Sequence, residues 1–202
     1  MTTSTPRLDS AARQAGIMAA ALELASVRSP GQITTTDIAQ AVGLTQGALF
    51  KHFANKEAIW LAAMTWVQEH LMQQLNAAAA SSPQPLTALR QMFDAHVDFV
   101  ARHPGVPRLI FHELQQPADS PLKECVRGLM KRYRQLLLGL LKRAVQDAQV
   151  DPALDTQAAA TLFIGIMQGL VMQSLFSGHV SSLRAEAPRV FDLYLRSLRA
   201  PS

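Results

Sequence analysis

The sequence predicts an all-α protein of nine helices, with a three-helix N-terminal head and a larger helical body. Apolar residues recur every three or four positions along most of the 202 residues, and no segment alternates as a strand would. Hydrophobic residues make up 49% of the chain but aromatic residues only 6%. This composition favours helices over sheets and is sufficient for a sizeable core.

Breakers and caps delimit each helix in turn. Pro30 and Gly31 end the first helix, Gly43 separates two short ones, and Asn55 caps a long one. Ser120 followed by Pro121 predicts the start of the seventh helix. The expected helices cover residues 10–27, 34–42, 45–53, 55–80, 86–102, 106–114, 121–148, 155–176 and 187–199. We place the domain boundary after residue 54, which gives a head of residues 1–54 and a body of residues 55–202.

Charge and cysteine content restrict the cellular setting. A formal net charge of +4 permits a polyanionic partner without establishing one. The single cysteine, Cys125, excludes an intramolecular disulfide and fits a reducing cytoplasm. Residues 1–10 are polar and do not resemble a secretory signal, and the apolar run 162–176 is shorter than a membrane span. We therefore expect a cytoplasmic protein.

The head carries the pattern of a helix-turn-helix. Thr34 and Asp37 have the spacing of a capping box, and Gly43 suits a turn that needs a positive φ. Thr45 then caps a second short helix, whose Leu49 is expected to pack on the first. This spacing favours DNA binding, whereas the alternative is a pair of packed helices without a ligand.

Gly47 lies on the first, outward-facing turn of that second helix, where a missing side chain lets the backbone approach DNA closely. Gln46 is suited to adenine, while Ala48 offers only a methyl group. Lys56, at the start of the fourth helix, is placed for phosphate. The predicted DNA-binding residues are Thr34, Thr35, Thr36, Thr45, Gln46, Gly47, Ala48, Phe50, Lys51, His52 and Lys56.

The segment TTTDIAQAVGLTQGALFKHFANKEAIWLAAM, residues 34–64, resembles the signature of TetR-type regulators. The resemblance is dense over residues 16–64, and beyond them only length and helix count match. It implies a homodimer of nine-helix chains, an effector pocket in the body and repression that the effector relieves. Two positions depart from the family pattern. Phe50 lacks the tyrosine hydroxyl that touches a phosphate in many members, and Ala48 stands where Ser or Thr is common.

The eighth helix is apolar on nearly every side, so it needs more covering neighbours than one chain offers. With the ninth helix it is expected to form a four-helix bundle across a twofold axis, where Gly165 and Gly169 allow close approach. The alternative is that both glycines are merely tolerated. The predicted dimer-interface residues are Leu162, Gly165, Gly169, Met172, Phe176, Phe191, Tyr194 and Leu198.

Polar or adaptable side chains interrupt the apolar stripes of the fourth to eighth helices. Apolar walls with a few polar groups are typical of a small-molecule pocket, and they suggest an apolar or aromatic effector. The alternative is an ordinary core with satisfied histidines. The predicted ligand-binding residues are Trp66, Phe93, His96, Phe111, His112, Met130, Tyr133, Met167 and Gln168.

Enzymatic chemistry is not expected. HELQQ, residues 112–116, begins like a zinc-protease motif but lacks the second histidine, and His96 with His103 has no third metal ligand nearby. The sequence has no phosphate loop, nucleophile elbow or catalytic carboxylate pair, so we expect no cofactor. A ligand-gated repressor that binds a palindromic operator is the leading hypothesis. A DNA-binding architectural protein without an effector is the alternative.

Overall fold

The computed structural model describes residues 10–178 and 180–199. Residues 1–9, 179 and 200–202 lie outside this range. They include the outer ends of the two predicted domains and most of residues 1–10, the segment expected not to be a secretory signal. The described residues form nine α-helices, a 3₁₀ turn at Pro30–Gln32 and no strand, which confirms the predicted all-α class. The helices are α1 (Ser10–Ala25), α2 (Thr35–Ala41), α3 (Gln46–Leu49), α4 (Lys56–Ala80), α5 (Pro85–Arg102), α6 (Gly105–Leu114), α7 (Pro121–Gln146), α8 (Thr156–Ser177) and α9 (Val180–Ser197).

Helix α9 begins seven residues before the predicted start at residue 187. Pro188 lies inside the helix. The preceding residues are held by packing, since Leu183 is buried and Arg184 Nη2 pairs with Asp98 Oδ1 at 3.1 Å. Tertiary contacts therefore outweigh the backbone hydrogen bond that proline removes.

Two compact units divide the chain. Unit 1 contains residues up to 67 together with 103–125, and unit 2 contains 68–102 together with 126 onward. The predicted boundary between residues 54 and 55 separates a DNA-binding head from a ligand-binding and dimerisation body, whereas the two units are defined by packing. That boundary stays a prediction.

Unit 1 is built on α1, which packs against α2 and α6. Its core includes Ile17, Ile38 and Leu49, none of which is exposed to solvent. Helix α6 approaches α1 so closely that a Cβ added at Gly105 would lie 1.9 Å from the carbonyl oxygen of Leu22. Only glycine fits at this crossing.

Unit 2 packs α9 against α5 and α8 around an aromatic cluster. Phe163 makes edge-to-face contacts with Phe93 and Phe191 at centroid distances of 5.5 and 5.9 Å. The Tyr194 hydroxyl donates to the Ala159 carbonyl at 3.1 Å, so the polar end of this buried ring is satisfied.

Helix α8 is, among the described residues, the one helix whose length and composition are compatible with a membrane span. Core helices of soluble proteins have the same properties, and the 18-residue window concerned is 39% buried. One face of α8 packs in unit 2 and a second face carries exposed apolar residues.

Candidate nucleic-acid interface and effector site

The capping box that begins α2 is complete. The Thr34 hydroxyl accepts from the Asp37 backbone N–H at 3.1 Å, and Asp37 Oδ2 accepts from the Thr34 N–H at 2.8 Å. Hydrogen bonds that Asp37 Oδ2 accepts from the Thr34 N–H, from the Thr34 hydroxyl at 2.8 Å and from Arg28 at 3.2 Å lower the pKa of Asp37 to about 2. The start of α2 is therefore fixed by charge-assisted contacts.

The turn between α2 and α3 depends on Gly43, whose φ is +65°. Residues with a side chain are strained in this region of backbone conformation. Leu44 N–H then donates to the Ala39 carbonyl at 2.8 Å, which closes the end of α2. Thr45 then caps the N-terminus of α3, because its hydroxyl accepts a hydrogen bond from the Ala48 N–H at 3.1 Å.

The outward side of α3 is open. Gly47 is exposed, and a Cβ placed there would meet no described atom within 4 Å. Gln46 Nε2 donates to the Thr35 hydroxyl at 2.8 Å, so α2 and α3 present these two predicted DNA-binding side chains together. Lys56 is described below. Of the remaining predicted DNA-binding residues, two are half-buried, Ala48 and His52, and five are exposed, namely Thr34, Thr36, Thr45, Phe50 and Lys51.

Helix α3 is shorter than predicted, because residues 50–52 form a turn after Leu49. Phe50 remains 43% exposed beyond the helix end. The His52 carbonyl accepts from Gln14 Nε2 at 3.2 Å, which ties this turn to α1.

Lys56 makes two contacts that the sequence did not predict. Its ammonium group donates to the carbonyls of Gly31 and Ile33, at 3.3 and 3.0 Å, and its assignment to a phosphate stays a prediction. The side chain bridges the start of α4 and the segment that leads into α2. These contacts connect α4 with the residue that precedes the Thr34 cap of α2.

The predicted ligand-binding residues divide between the two units. Trp66, Phe111 and His112 belong to unit 1 and are half-buried. In unit 2, Phe93, Tyr133 and Met167 are closed within the core, Met130 and His96 are half-buried, and Gln168 is exposed. The exposed position of Gln168 contradicts its assignment to an inner wall, because it lies on the outward side of α8.

His96 and Tyr133 form the clearest polar contact in unit 2. His96 Nδ1 lies 2.9 Å from the Tyr133 hydroxyl, and the rings meet edge to face at a centroid distance of 5.2 Å. Burial lowers the pKa of His96 to about 4 and raises that of Tyr133. The imidazole is therefore neutral at pH 7.

This lowered pKa predicts acid sensitivity. An unfolded histidine titrates near pH 6.5, so the unfolded state takes up the proton first as the pH falls. The contribution of His96 is complete above pH 6.5 and is lost between pH 6.5 and 4, with an upper limit of about 3 kcal/mol. Urea unfolding across this range should give a flatter pH profile for His96→Gln than for the wild type. Parallel profiles would contradict this assignment.

The predicted dimer-interface residues separate into two groups. Leu162, Gly165, Gly169, Met172 and Phe176 lie along one stripe of α8. Leu162 is 48% exposed and Phe176 is 82% exposed. The α9 members of the predicted set, Phe191, Tyr194 and Leu198, are 1–2% exposed. These three side chains contribute to the core of the single chain, which corrects their assignment to a surface that meets a second copy.

Sequence reasoning missed several functional candidates. Leu193 is an apolar residue on the exposed side of α9, where its side chain is 60% exposed. Lys123 is buried, with 7% exposure, and donates to the carbonyls of Gln116 and Ala118. Trp60 and Glu113 line a cavity of unit 1 together with His112. No local pattern indicated these contacts, which join residues from separate segments.

Comparisons with known proteins agree with this architecture. The sequence profile of the tetR family of bacterial regulatory proteins matches residues 17–63, and that of the tetracyclin repressor-like C-terminal domain matches residues 85–187. The HTH-type transcriptional repressor BepR of Brucella suis is 26% identical over 204 residues, which cover 97% of this chain and 96% of BepR.

Two further proteins are similar over most of the chain. The nucleoid occlusion factor SlmA of Vibrio vulnificus is 26% identical over 158 residues, which cover 78% of this chain and 80% of SlmA. The fatty acid degradation regulator FadR of Bacillus halodurans has the same fold, with a TM-score of 0.81, 20% identity and coverage of 99% of this chain and 100% of FadR. Because the two profiles together match more than half of the residues, this chain belongs to the TetR family of DNA-binding transcriptional regulators.

Proposed function

We propose that this protein is a cytoplasmic repressor that binds a palindromic operator as a homodimer and leaves it when a small apolar or aromatic effector binds. The open first turn of α3 carries the DNA-binding part of the proposal, because Gly47 lets the helix backbone approach a groove while Gln46 and Thr35 stand beside it. Similarity to the repressor BepR supports the direction of regulation.

The operator can be identified by selection from a random duplex pool, followed by footprinting of the enriched sequence. Twofold-related heads should protect two inverted half-sites whose centres lie about 34 Å, or a multiple of it, apart. A single asymmetric half-site would contradict the dimeric proposal. Protection of two overlapping palindromes would indicate two dimers on one operator, which is compatible with it.

Gln46→Ala and Lys51→Ala should change binding in different ways. Gln46 faces a base edge in the proposal, so its loss should relax preference at one position by about 1–3 kcal/mol. Lys51 is exposed next to α3, so its loss should weaken all sequences alike and reduce the salt slope by about one. Binding to operator and random duplexes at several salt concentrations measures both effects.

Lys142→Ala serves as the control for these variants, because Lys142 is an exposed lysine of unit 2 on α7. It should leave the operator affinity and the salt slope unchanged. Equal losses by Gln46→Ala on operator and random DNA would show that Gln46 does not read sequence.

The second candidate function is that of a DNA-binding architectural protein without an effector. Similarity to SlmA, whose name is that of a nucleoid occlusion factor, favours it. A thermal-shift screen of apolar and aromatic compounds separates the two candidates, since a ligand that binds only the folded state raises the melting temperature. A hit that also releases operator DNA supports the repressor. A broad screen without any shift supports the architectural protein.

A further inference from the structure

A cavity of about 490 Å³ lies within unit 1, and all of its wall residues belong to that unit. The 3₁₀ turn, the first turns of α4, one side of α6 and the start of α7 form its walls. Its volume falls in the range of about 300–1,000 Å³ that small-molecule sites occupy. Of the predicted ligand-binding residues, His112 alone lines it.

The walls are mostly apolar, with a tryptophan and two carboxylates among them. Trp60 is 6% exposed and Leu109 is 1% exposed, so a ligand would meet surfaces already shielded from water. Glu113 is 9% exposed, and its carboxylate accepts a hydrogen bond from the Ser120 hydroxyl. Glu57, at the exposed start of α4, is the second carboxylate.

The charges on these walls favour a cation. Glu57 and Glu113 are two potential anionic groups, whereas Lys56 is the one lysine or arginine among the described wall residues. The Lys56 ammonium is already held by two backbone carbonyls. An aromatic ring beside a carboxylate stabilises an organic cation through both cation–π and Coulomb attraction.

The same walls connect to the DNA-binding element. His112 packs on Gly31, since a Cβ at residue 31 would lie 3.1 Å from His112 Cε1. Lys56 holds the carbonyl of Ile33, and Ile33 directly precedes the Thr34 cap of α2. A ligand that moves Lys56 or His112 away from residues 31 and 33 would change the position of α2. All of these contacts lie inside unit 1.

We propose that this cavity is a binding site for an apolar organic cation, and that its occupation weakens DNA binding through Lys56 and the 3₁₀ turn. The inference rests on the proposed function, because it names the chemical class and the location of an effector. The effector site is thereby assigned to unit 1, whereas most of the ligand-binding residues predicted from the sequence belong to unit 2.

The experiment compares tetraphenylphosphonium with tetraphenylborate, two ions of nearly equal size and shape but opposite charge. Calorimetric titration of the wild-type protein should show one phosphonium ion per chain, bound at least about tenfold more tightly than the borate. In a Trp66→Phe variant, which keeps Trp60 as the only tryptophan, the phosphonium should alter the fluorescence of Trp60.

Matched variants locate the binding. Ala58 lines the cavity, so Ala58→Phe should fill it and abolish phosphonium binding, whereas Ala77→Phe at an exposed site of the same helix should not. Glu57→Gln and Glu113→Gln should each weaken binding by about tenfold, whereas Glu69→Gln, at an exposed position on α4, should have no effect. Circular dichroism establishes that each variant is folded.

Equal affinity for the two ions would overturn the assignment of the ligand class, and full binding by folded Ala58→Phe would overturn the site. The phosphonium should also reduce operator affinity at least about fivefold in the wild type but not in Ala58→Phe. Binding in the cavity without this reduction would overturn the link to DNA. The proposed function is tested separately, since operator selection and footprinting are carried out without any cation.

Discussion

Gly105→Ala is expected to unfold unit 1 or reduce its stability by about 4 kcal/mol. The added Cβ would lie 1.9 Å from the Leu22 carbonyl oxygen and 3.1 Å from the Ser26 nitrogen. Both are backbone atoms of α1 or its C-terminal end, so no side-chain rotation relieves the overlap. Helices α1 and α6 must separate, and operator binding should fall with the loss of α1 as the support of α2 and α3. Urea unfolding followed by circular dichroism measures the effect.

Gly139→Ala is the control for this variant. Gly139 lies in the interior of α7, and a Cβ there would meet no described atom within 4 Å. Alanine should therefore raise stability by up to about 1 kcal/mol, through its higher helix propensity. If Gly105→Ala were as stable as the wild type, α1 and α6 would not be packed as closely as described.

Gly165→Leu and Gly169→Leu are expected to convert a dimer into folded monomers. A Cβ at either position meets no described atom of the same chain within 4 Å, so the fold of one chain should tolerate the substitution. Both glycines lie on the exposed apolar stripe of α8 with Leu162 and Phe176. Leucine side chains at a close helix crossing would hold two copies apart. Sedimentation measures the state of association.

The loss of the dimer should also reduce operator affinity by about 10²–10⁴-fold, because two linked heads bind more tightly than one. Gly139→Leu provides the matched control, since it places a leucine at another exposed helical glycine, on α7. It should remain dimeric and bind the operator as the wild type does. Dimers of unchanged affinity in both α8 variants would rule out the stripe as the interface.

The helix-turn-helix was predictable because its determinants are local. The caps formed by Thr34 with Asp37 and by Thr45 each connect residues three positions apart. The positive φ at Gly43 belongs to a single residue. Such contacts leave a readable pattern in the sequence. The exposed stripe of α8 was predictable for a similar reason, since helical periodicity places its residues on one face.

Burial and long-range contacts were harder to predict from the sequence. Periodicity marked Phe191 and Tyr194 as apolar, but it did not distinguish the core of one chain from an interface between two. The same limit applies to Gln168, which is adjacent to the buried Met167 yet is exposed. Which face of a helix is covered depends on the neighbouring helices, and those come from distant segments.

The helical class, the order of the elements and the family could be predicted from the residues alone, because caps, glycine turns and helical periodicity act over a few positions. Tertiary packing brings Lys56 to the carbonyls of Gly31 and Ile33, 25 and 23 residues away, and allows α9 to continue through Pro188. It also decided where the cavity of unit 1 lies, since its walls come from four separate segments. These features arise from packing between segments distant along the chain, and a local pattern records which side chains are available but not which of them meet.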